Sequence, residues 1–199
     1  MVAEYSIIEI ITVLIGGYLL GSVPFGLVLT KLAGHGDIRT IGSGNIGATN
    51  VLRTGNKFLA LLTLLLDIGK GAAAALSAEY FFPGLGIYAG GASFLGHCYS
   101  VFLKFTGGKG VATFLGIMVA LNPLAGLACS LTWLLTALVF RISSLSAIFA
   151  ALLSPLYGFY FSGSDLALLA GILCILILYK HKDNIRRLLN GTEPKIGQK

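Results

Sequence analysis

Apolar stretches near residues 7–32, 57–82, 85–103, 110–121, 124–140, 145–161 and 165–179 succeed one another along the chain, separated by short polar segments rich in glycine and serine. Runs of about 20 apolar residues have the length of a transmembrane helix. The pattern therefore predicts membrane-spanning helices joined by short loops. The fourth stretch is anomalous, because eleven or twelve helical residues rise only about 18 Å against a hydrocarbon core of roughly 30 Å. Stretches four and five are then either one long span kinked at Asn122-Pro123 or two spans forming a hairpin there.

Charge decides between them. With seven spans and the N-terminus outside, Lys31, Arg39, Arg53, Lys57, Lys104, Lys109, Arg141, Lys180, Lys182, Arg186, Arg187, Lys195 and Lys199 all fall on the cytoplasmic side. Lys70 lies within a span, and the outer side holds Glu4, Glu9, Glu79 and Asp165 with no Lys or Arg. Merging stretches four and five would expel Arg141 and the six basic residues of the C-terminal tail, seven of the fourteen, which the positive-inside rule disfavours. The predicted fold class is all-α: a polytopic bundle of seven transmembrane helices, N-terminus outside and C-terminus cytoplasmic. Residues 1–199 form a single membrane-embedded domain. The short fourth span is expected to be buried by its neighbours.

Composition agrees with this picture. Hydrophobic residues make up 56% of the chain and charged residues 11%, with a mean hydropathy of +0.88, values of a membrane protein rather than a soluble α/β domain. The net charge of +6 resides between apolar spans, so it reports topology and not a nucleic-acid partner. Cys98, Cys129 and Cys174 are scattered, giving neither a disulfide framework nor metal-ligand spacing. The first apolar run is too long for the core of a signal peptide and lacks a basic leader.

The candidate chemistry lies in the loops. Gly42 to Gly47, GSGNIG, fits the dinucleotide fingerprint G-x-G-x-x-G, and Asp67 stands twenty residues after Gly47. That fingerprint needs a βαβ unit, and here it is flanked by apolar helices. What survives is a backbone opened by Gly42 and Gly44, polar groups from Ser43, Asn45, Thr49 and Asn50, and the cation Arg53; a plain glycine-rich connector is the alternative. Gly107-Gly108-Lys109-Gly110 fails as a Walker loop at both ends, yet keeps flexible N–H groups and a lysine at a helix start, which suit phosphate. In the tail, helical spacing puts His181, Asn184 and Leu188 on one side, with a basic lipid-facing anchor as the alternative role. Asp67 and Lys70, one turn apart inside the second span, read as a mutually neutralising structural pair, and His97 as a packing residue or an acid-base group. In the seven-span topology the polar loops share the cytoplasmic face with the N-termini of spans two, four and six, a plausible anion site.

These motifs in this order resemble the PlsY family, the bacterial integral-membrane glycerol-3-phosphate acyltransferases that use acyl phosphate. The matching elements are GSVPFG at 21–26, GSGNIGATNVLR at 42–53, LDIGKG at 66–71, GGKGVAT at 107–113 and HKDNIRRLLNGTE at 181–193. The resemblance implies transfer of a long-chain acyl group from acyl phosphate to the 1-hydroxyl of glycerol 3-phosphate, in the cytoplasmic membrane of a bacterium with the active site facing the cytoplasm. It implies catalytic roles for Ser43, Arg53, Lys109, Ser144, His181 and Asn184, with Gly42, Gly44, Asn45, Thr49, Asn50, Gly107, Gly108 and Gly110 lining the substrates. It implies no cofactor and no metal, and as partners only the two substrates and membrane lipid. Where the family often has proline this chain has Ser100, where it has lysine Thr106, and where it has arginine Lys180 and Lys182. Arg to Lys loses bidentate phosphate binding at those two tail positions.

The chemistry fits these residues. Acyl phosphate is an activated mixed anhydride, so no covalent nucleophile is needed, and no G-x-S-x-G or H-E-x-x-H motif is present. The sequence suggests no carboxylate near the site except Asp37 and Asp183, so a substrate phosphate oxygen is expected to take the hydroxyl proton. A small organic-anion transporter is the alternative, on the strength of the short fourth span and the midmembrane Asp67 and Lys70. A metal-dependent CDP-alcohol phosphotransferase would need an aspartate-rich site that eight dispersed acidic residues do not form.

Overall fold

The protein, seen in a computed structural model that describes residues 5–197, is helical throughout with no strand among the described residues. Glu4 and Lys199, two of the charges used to orient the chain, lie outside the described residues. The principal helices are α1 (Ile7–Ser22), α2 (Phe25–Leu32), the single turn α3 (Ala48–Val51), α4 (Lys57–Phe81), α5 (Gly86–Cys98), α6 (Val111–Leu121), α7 (Pro123–Phe140), α8 (Ser143–Ser162), α9 (Ser164–Lys180) and α10 (Lys182–Leu189).

Local chemistry sets the helix ends. Ser6 and Glu9 form a capping box at the start of α1, Asn56 caps α4 through the Leu59 N–H, and Asn122 caps α7 with Pro123 in its first turn. The first apolar stretch, expected to run unbroken from 7 to 32, is interrupted at Val23-Pro24 because proline has no N–H to give and its ring crowds the preceding turn. The third stretch, expected to reach 103, stops at Cys98. Beyond it Lys104 and Phe105 take left-handed backbone angles, and the Ser100 carbonyl accepts the N–H groups of Leu103 and Phe105. Stretches four and five are separate helices, and they pack so tightly that a Cβ at Gly126 would strike the Val119 backbone.

Four helical segments are long and apolar enough to cross a membrane: Ile7–Leu32, Lys57–Phe81, Pro123–Phe140 and Ser143–Ser162. A fifth is added if α9 and α10, bent by 64° at His181, count as one. At 13 and 11 residues, α5 and α6 are shorter. Outward-facing Leu61, Leu138, Phe159 and Leu168 give the bundle an apolar surface, while Phe94, Phe114, Ile117, Met118, Leu173 and Ile177 fill its core.

Small residues let α5 sit at the centre. Gly17 and Gly21 of α1 lie against the Ala89 and Ser93 backbone, and Gly96 of α5 against Tyr18. This is the close approach by which membrane helices gain van der Waals contact when no hydrophobic force drives them together. Gly71 and Gly116 bring α4 and α6 together in the same way. Gly21→Val should therefore lower the thermal midpoint sharply or prevent folding, at a cost of about 3 kcal/mol or more. Gly16→Val, whose Cβ meets nothing within 4 Å, should leave it nearly unchanged. A fluorescence-detected melt of the two variants compares them directly.

Candidate active site

The segment between α2 and α4 is organised around one buried side chain. Asn50 Nδ2 donates to the carbonyls of Ile38 (2.9 Å), Ile41 (3.0 Å) and Asn45 (2.8 Å), while its Oδ1 accepts from the Ser43 N–H (3.1 Å), the Ser43 hydroxyl (3.3 Å) and Arg53 Nη1 (3.1 Å). Asn50 thus spends its hydrogen-bonding capacity on the loop, and it holds Arg53 and Ser43 side by side. Gly42 sits under the Arg53 side chain with φ of 54°, where a Cβ would be strained and would meet Arg53 Cδ at 2.6 Å. Gly44 is also left-handed, and Asn45 contributes its carbonyl to Asn50. Thr49 ties the loop to the start of α8 through Ser143, 3.2 Å away.

The Gly107–Gly110 loop lies on the C-terminal turn of α5. The Gly108 N–H donates to the His97 carbonyl at 3.0 Å. A Cβ at Gly107 would collide with that carbonyl, one at Gly108 with the His97 ring, and one at Gly110 with the Phe94 ring. These glycines therefore have a packing reason of their own. The loop presents Lys109, which leads into α6 and donates from Nζ to Asn184 Oδ1 on α10.

A residue not singled out from the sequence completes the arrangement. Glu193 Oε1 accepts from Ser144 Oγ (2.7 Å) in the first turn of α8 and from Asn184 Nδ2 (2.6 Å), and Oε2 accepts from Arg187 Nε (2.7 Å). Its side chain is only 6% exposed. The expectation that only Asp37 and Asp183 bring carboxylates near this face is thus corrected. Asp183 is exposed, Asp37 is taken up by Arg39 at 2.6 Å, and the carboxylate inside the cluster is Glu193. It stood in the quoted motif, but a lone acid after a basic helix gave no sign that the tail folds back. The fold-back shows in the Ile196 N–H, which reaches the Arg141 carbonyl.

The electrostatics follow from this crowding. Burial lowers the Lys109 pKa; Arg187 and Arg53 push the same way, and Glu193 and Asp183 oppose them, so three cations are within electrostatic reach of one another. Burial alone would raise the Glu193 carboxyl, but hydrogen bonds from Ser144, Asn184 and Arg187 and the Arg187 charge outweigh it, and the net shift is downward. His181 lies in the turn between α9 and α10, outside either helix. Burial brings it down to about 4, the Ile177 carbonyl at 2.8 Å from Nδ1 opposing and Lys109 assisting. It is therefore neutral at pH 7 with the proton on Nδ1, leaving Nε2 as an acceptor. Lys180 is a structural staple: it donates to the Cys98 carbonyl at 2.8 Å and covers the Tyr99 ring.

Of the sequence-predicted residues, Lys109, Asn184 and Ser144 meet directly or through Glu193, with His181 beside them. Arg53 reaches them through its charge on Lys109, Ser43 is held beside Arg53 by Asn50, and Thr49 of the same loop touches Ser143, the neighbour of Ser144. Asp67 and Lys70 form the ion pair read from their spacing, at 2.8 Å.

Over the described residues the protein is a helical bundle with an apolar outer surface, the architecture of an integral membrane protein, with half-buried Arg53, Lys109 and Arg187 beside the buried amides of Asn50 and Asn184. A family model described as Glycerol-3-phosphate acyltransferase matches residues 11–191. A protein of that name from Maricaulis maris is 56% identical over 185 residues, 92% of this chain and 86% of its own length. Crystal structures of PlsY, an integral membrane glycerol 3-phosphate acyltransferase, superpose with TM-scores of 0.90 for the glycerol 3-phosphate form and 0.87 for the lysophosphatidic acid form. They share 41% and 40% identity, with 95% of this chain and 96% of each of those covered. The chain belongs to the glycerol-3-phosphate acyltransferase family.

The Glu193 pKa is lower folded than unfolded, so the stability it contributes is complete above the unfolded value of 4.5 and is lost as pH falls through the folded one. Glu193→Gln should lower stability by roughly 2 kcal/mol at pH 7, the scale of charge-assisted hydrogen bonds. Melts of parent and variant should converge as pH drops below 4.5; a constant gap would show the carboxylate charge to be immaterial.

Proposed function

We propose that this protein transfers the acyl group of a long-chain acyl phosphate to the 1-hydroxyl of glycerol 3-phosphate, releasing 1-acylglycerol 3-phosphate and inorganic phosphate for phospholipid synthesis. The observation that carries the reading is the meeting of Lys109, Asn184 and Ser144, with Arg53 in charge range, at one end of an apolar bundle. Both substrates bear phosphate and one also bears an alkyl chain. A cationic site at the rim of an apolar bundle suits both ends.

Acyl phosphate needs no covalent nucleophile. The hydroxyl attacks the acyl carbon, the carbonyl oxygen becomes a tetrahedral oxyanion, and the C–O bond to phosphate breaks on its collapse. Arg53 and Lys109 hold the phosphates in place. Ser43, Ser144, Asn184 and the backbone N–H groups of the glycine loops steady the oxyanion and the leaving phosphate. Gly42, Gly44, Asn45, Thr49, Asn50, Gly107, Gly108 and Gly110 shape the substrate pocket. A phosphate oxygen takes the proton, since His181 at about 4 is a weaker base than a phosphate whose second pKa is about 6, and Glu193 is already saturated with donors. His181 serves as a neutral binding group. No cofactor, metal or obligate protein partner enters this scheme.

The whole chain acts as one domain in the bacterial cytoplasmic membrane. It crosses seven times, with α5 and α6 as short crossings buried by their neighbours, the N-terminus outside and the site facing the cytoplasm. The one-sided distribution of Lys and Arg supports this orientation.

Purified protein given glycerol 3-phosphate should form lysophosphatidate with acyl phosphate and not with acyl-CoA; no product from either donor would refute the activity. Lys109→Ala should lower kcat/KM by about 10²- to 10³-fold, and full activity would refute the phosphate-loop assignment. His181→Ala should keep both limbs of the pH profile, whereas loss of one limb with normal substrate affinity would make His181 the base. For topology, the native cysteines Cys98, Cys129 and Cys174 are buried, so a cysteine at Gly36 should be labelled only from the cytoplasmic side and one at Gly84 only from outside.

A further inference from the structure

Helices α4 and α5 bury three ionisable side chains that the acyl-transfer scheme does not use. Asp67 and Lys70 approach to 2.8 Å with side chains 4% and 1% exposed, so each charge is compensated by the other. Lys70 also donates to the Val23 carbonyl at 2.8 Å, at the break between α1 and α2. His97 of α5 is buried as well, its Nδ1 3.7 Å from Asp67 Oδ1, too far for a hydrogen bond, and that nitrogen has no hydrogen-bond partner. The ion pair is neutral without it. A histidine buried in a membrane bundle and not needed for charge balance calls for another role.

The opposite side of His97 supplies one. Its carbonyl accepts the Gly108 N–H at 3.0 Å, and its ring lies so close to Gly108 that a Cβ there would overlap Nε2. A Cβ at Gly107 would overlap the His97 carbonyl. One residue of α5 thus fixes the two glycines that precede Lys109 through both its main chain and its ring. Behind the ring stands the Asp67 carboxylate, 3.7 Å from Nδ1 and itself immobilised by Lys70, which is held in turn by the Val23 carbonyl.

We infer that His97, through its ring against Gly108 and its carbonyl on the Gly108 N–H, is a positioning residue that sets where Lys109 stands against the substrate phosphate. The inference rests on the reading of Lys109 as a phosphate-holding residue. Its distinguishing feature is the ring-on-glycine contact, which permits a test by second-site compensation. A methyl group at residue 108 displaces the loop while the imidazole is present and finds room when it is absent.

The experiment uses the full chain in lipid nanodiscs, with KM and kcat for glycerol 3-phosphate measured at saturating acyl phosphate. His97→Ala should raise KM about tenfold with a smaller change in kcat, and Gly108→Ala should lower kcat/KM by about 100-fold, the scale of a misplacement of about 1 Å. In the His97→Ala background the added loss from Gly108→Ala should shrink to roughly threefold or less, a non-additivity a merely structural histidine would not produce. Equal losses from Gly108→Ala in both backgrounds, or His97→Ala with parental KM, would overturn the inference. Should His97→Ala fail to fold, Gly108→Ala alone decides, and parental kcat/KM in that variant would overturn it. A Lys109→Ala control separates the two readings: if it is fully active, the assignment of Lys109 fails. If it is impaired while His97→Ala and Gly108→Ala are not, only the role of His97 fails.

Discussion

A helix that ends leaves its last carbonyls without partners in the helix, so donors must come from elsewhere in the fold, and α5 ends at Cys98. The carbonyls at that end recruit donors from three directions: the Gly108 N–H reaches His97, Lys180 Nζ reaches Cys98, and the Tyr18 hydroxyl reaches Tyr99 at 2.6 Å. Ser100 returns a hydrogen bond to the Ser22 carbonyl at the end of α1. Capping one short helix therefore joins α1, the lysine loop and α9 at one point. The candidate site residues depend on that junction, because Lys109 directly follows one donor, Gly108, and His181 directly follows another, Lys180.

Glycine contributes to the same outcome in two ways. Along α1 and α5 it removes bulk so that backbones touch, which places the end of α5 beside the end of α1. In the two polar loops it makes room for side chains: Arg53 over Gly42, His97 over Gly108 and Phe94 over Gly110. The second use is close to what a dinucleotide fingerprint requires. The false match at residues 42–47 and the glycine loops of the structure share a requirement for close approach, although here what approaches is the protein's own side chains.

Much of this was legible from the chain. Hydropathy located the long helices to within a few residues, and the Asn122-Pro123 hairpin followed from charge where length alone was undecided. The i,i+3 spacing of Asp67 and Lys70 gave their ion pair. Ser43, Arg53, Lys109, His181 and Asn184 were singled out by their glycine-rich loops and the helical spacing of the tail, whereas Ser144 came only through motif resemblance, since nothing local marks it among the other serines of 143–146. Missed were the break at Pro24, the early end of α5 and the part played by Glu193. Each depends on a contact between residues far apart in sequence, such as Ser144 with Glu193 at a separation of 49, and no periodicity records such a contact.

The return of the tail has a consequence for the order in which the site comes into being. Lys109 and Asn184 are 75 residues apart, and Ser144 awaits a carboxylate from Glu193. A chain emerging from the ribosome can fold its central hairpin long before those partners exist. The cluster around Glu193 is therefore completed last, and a nascent chain that has made the loops but not yet residue 193 carries its cations without the side chains that orient them.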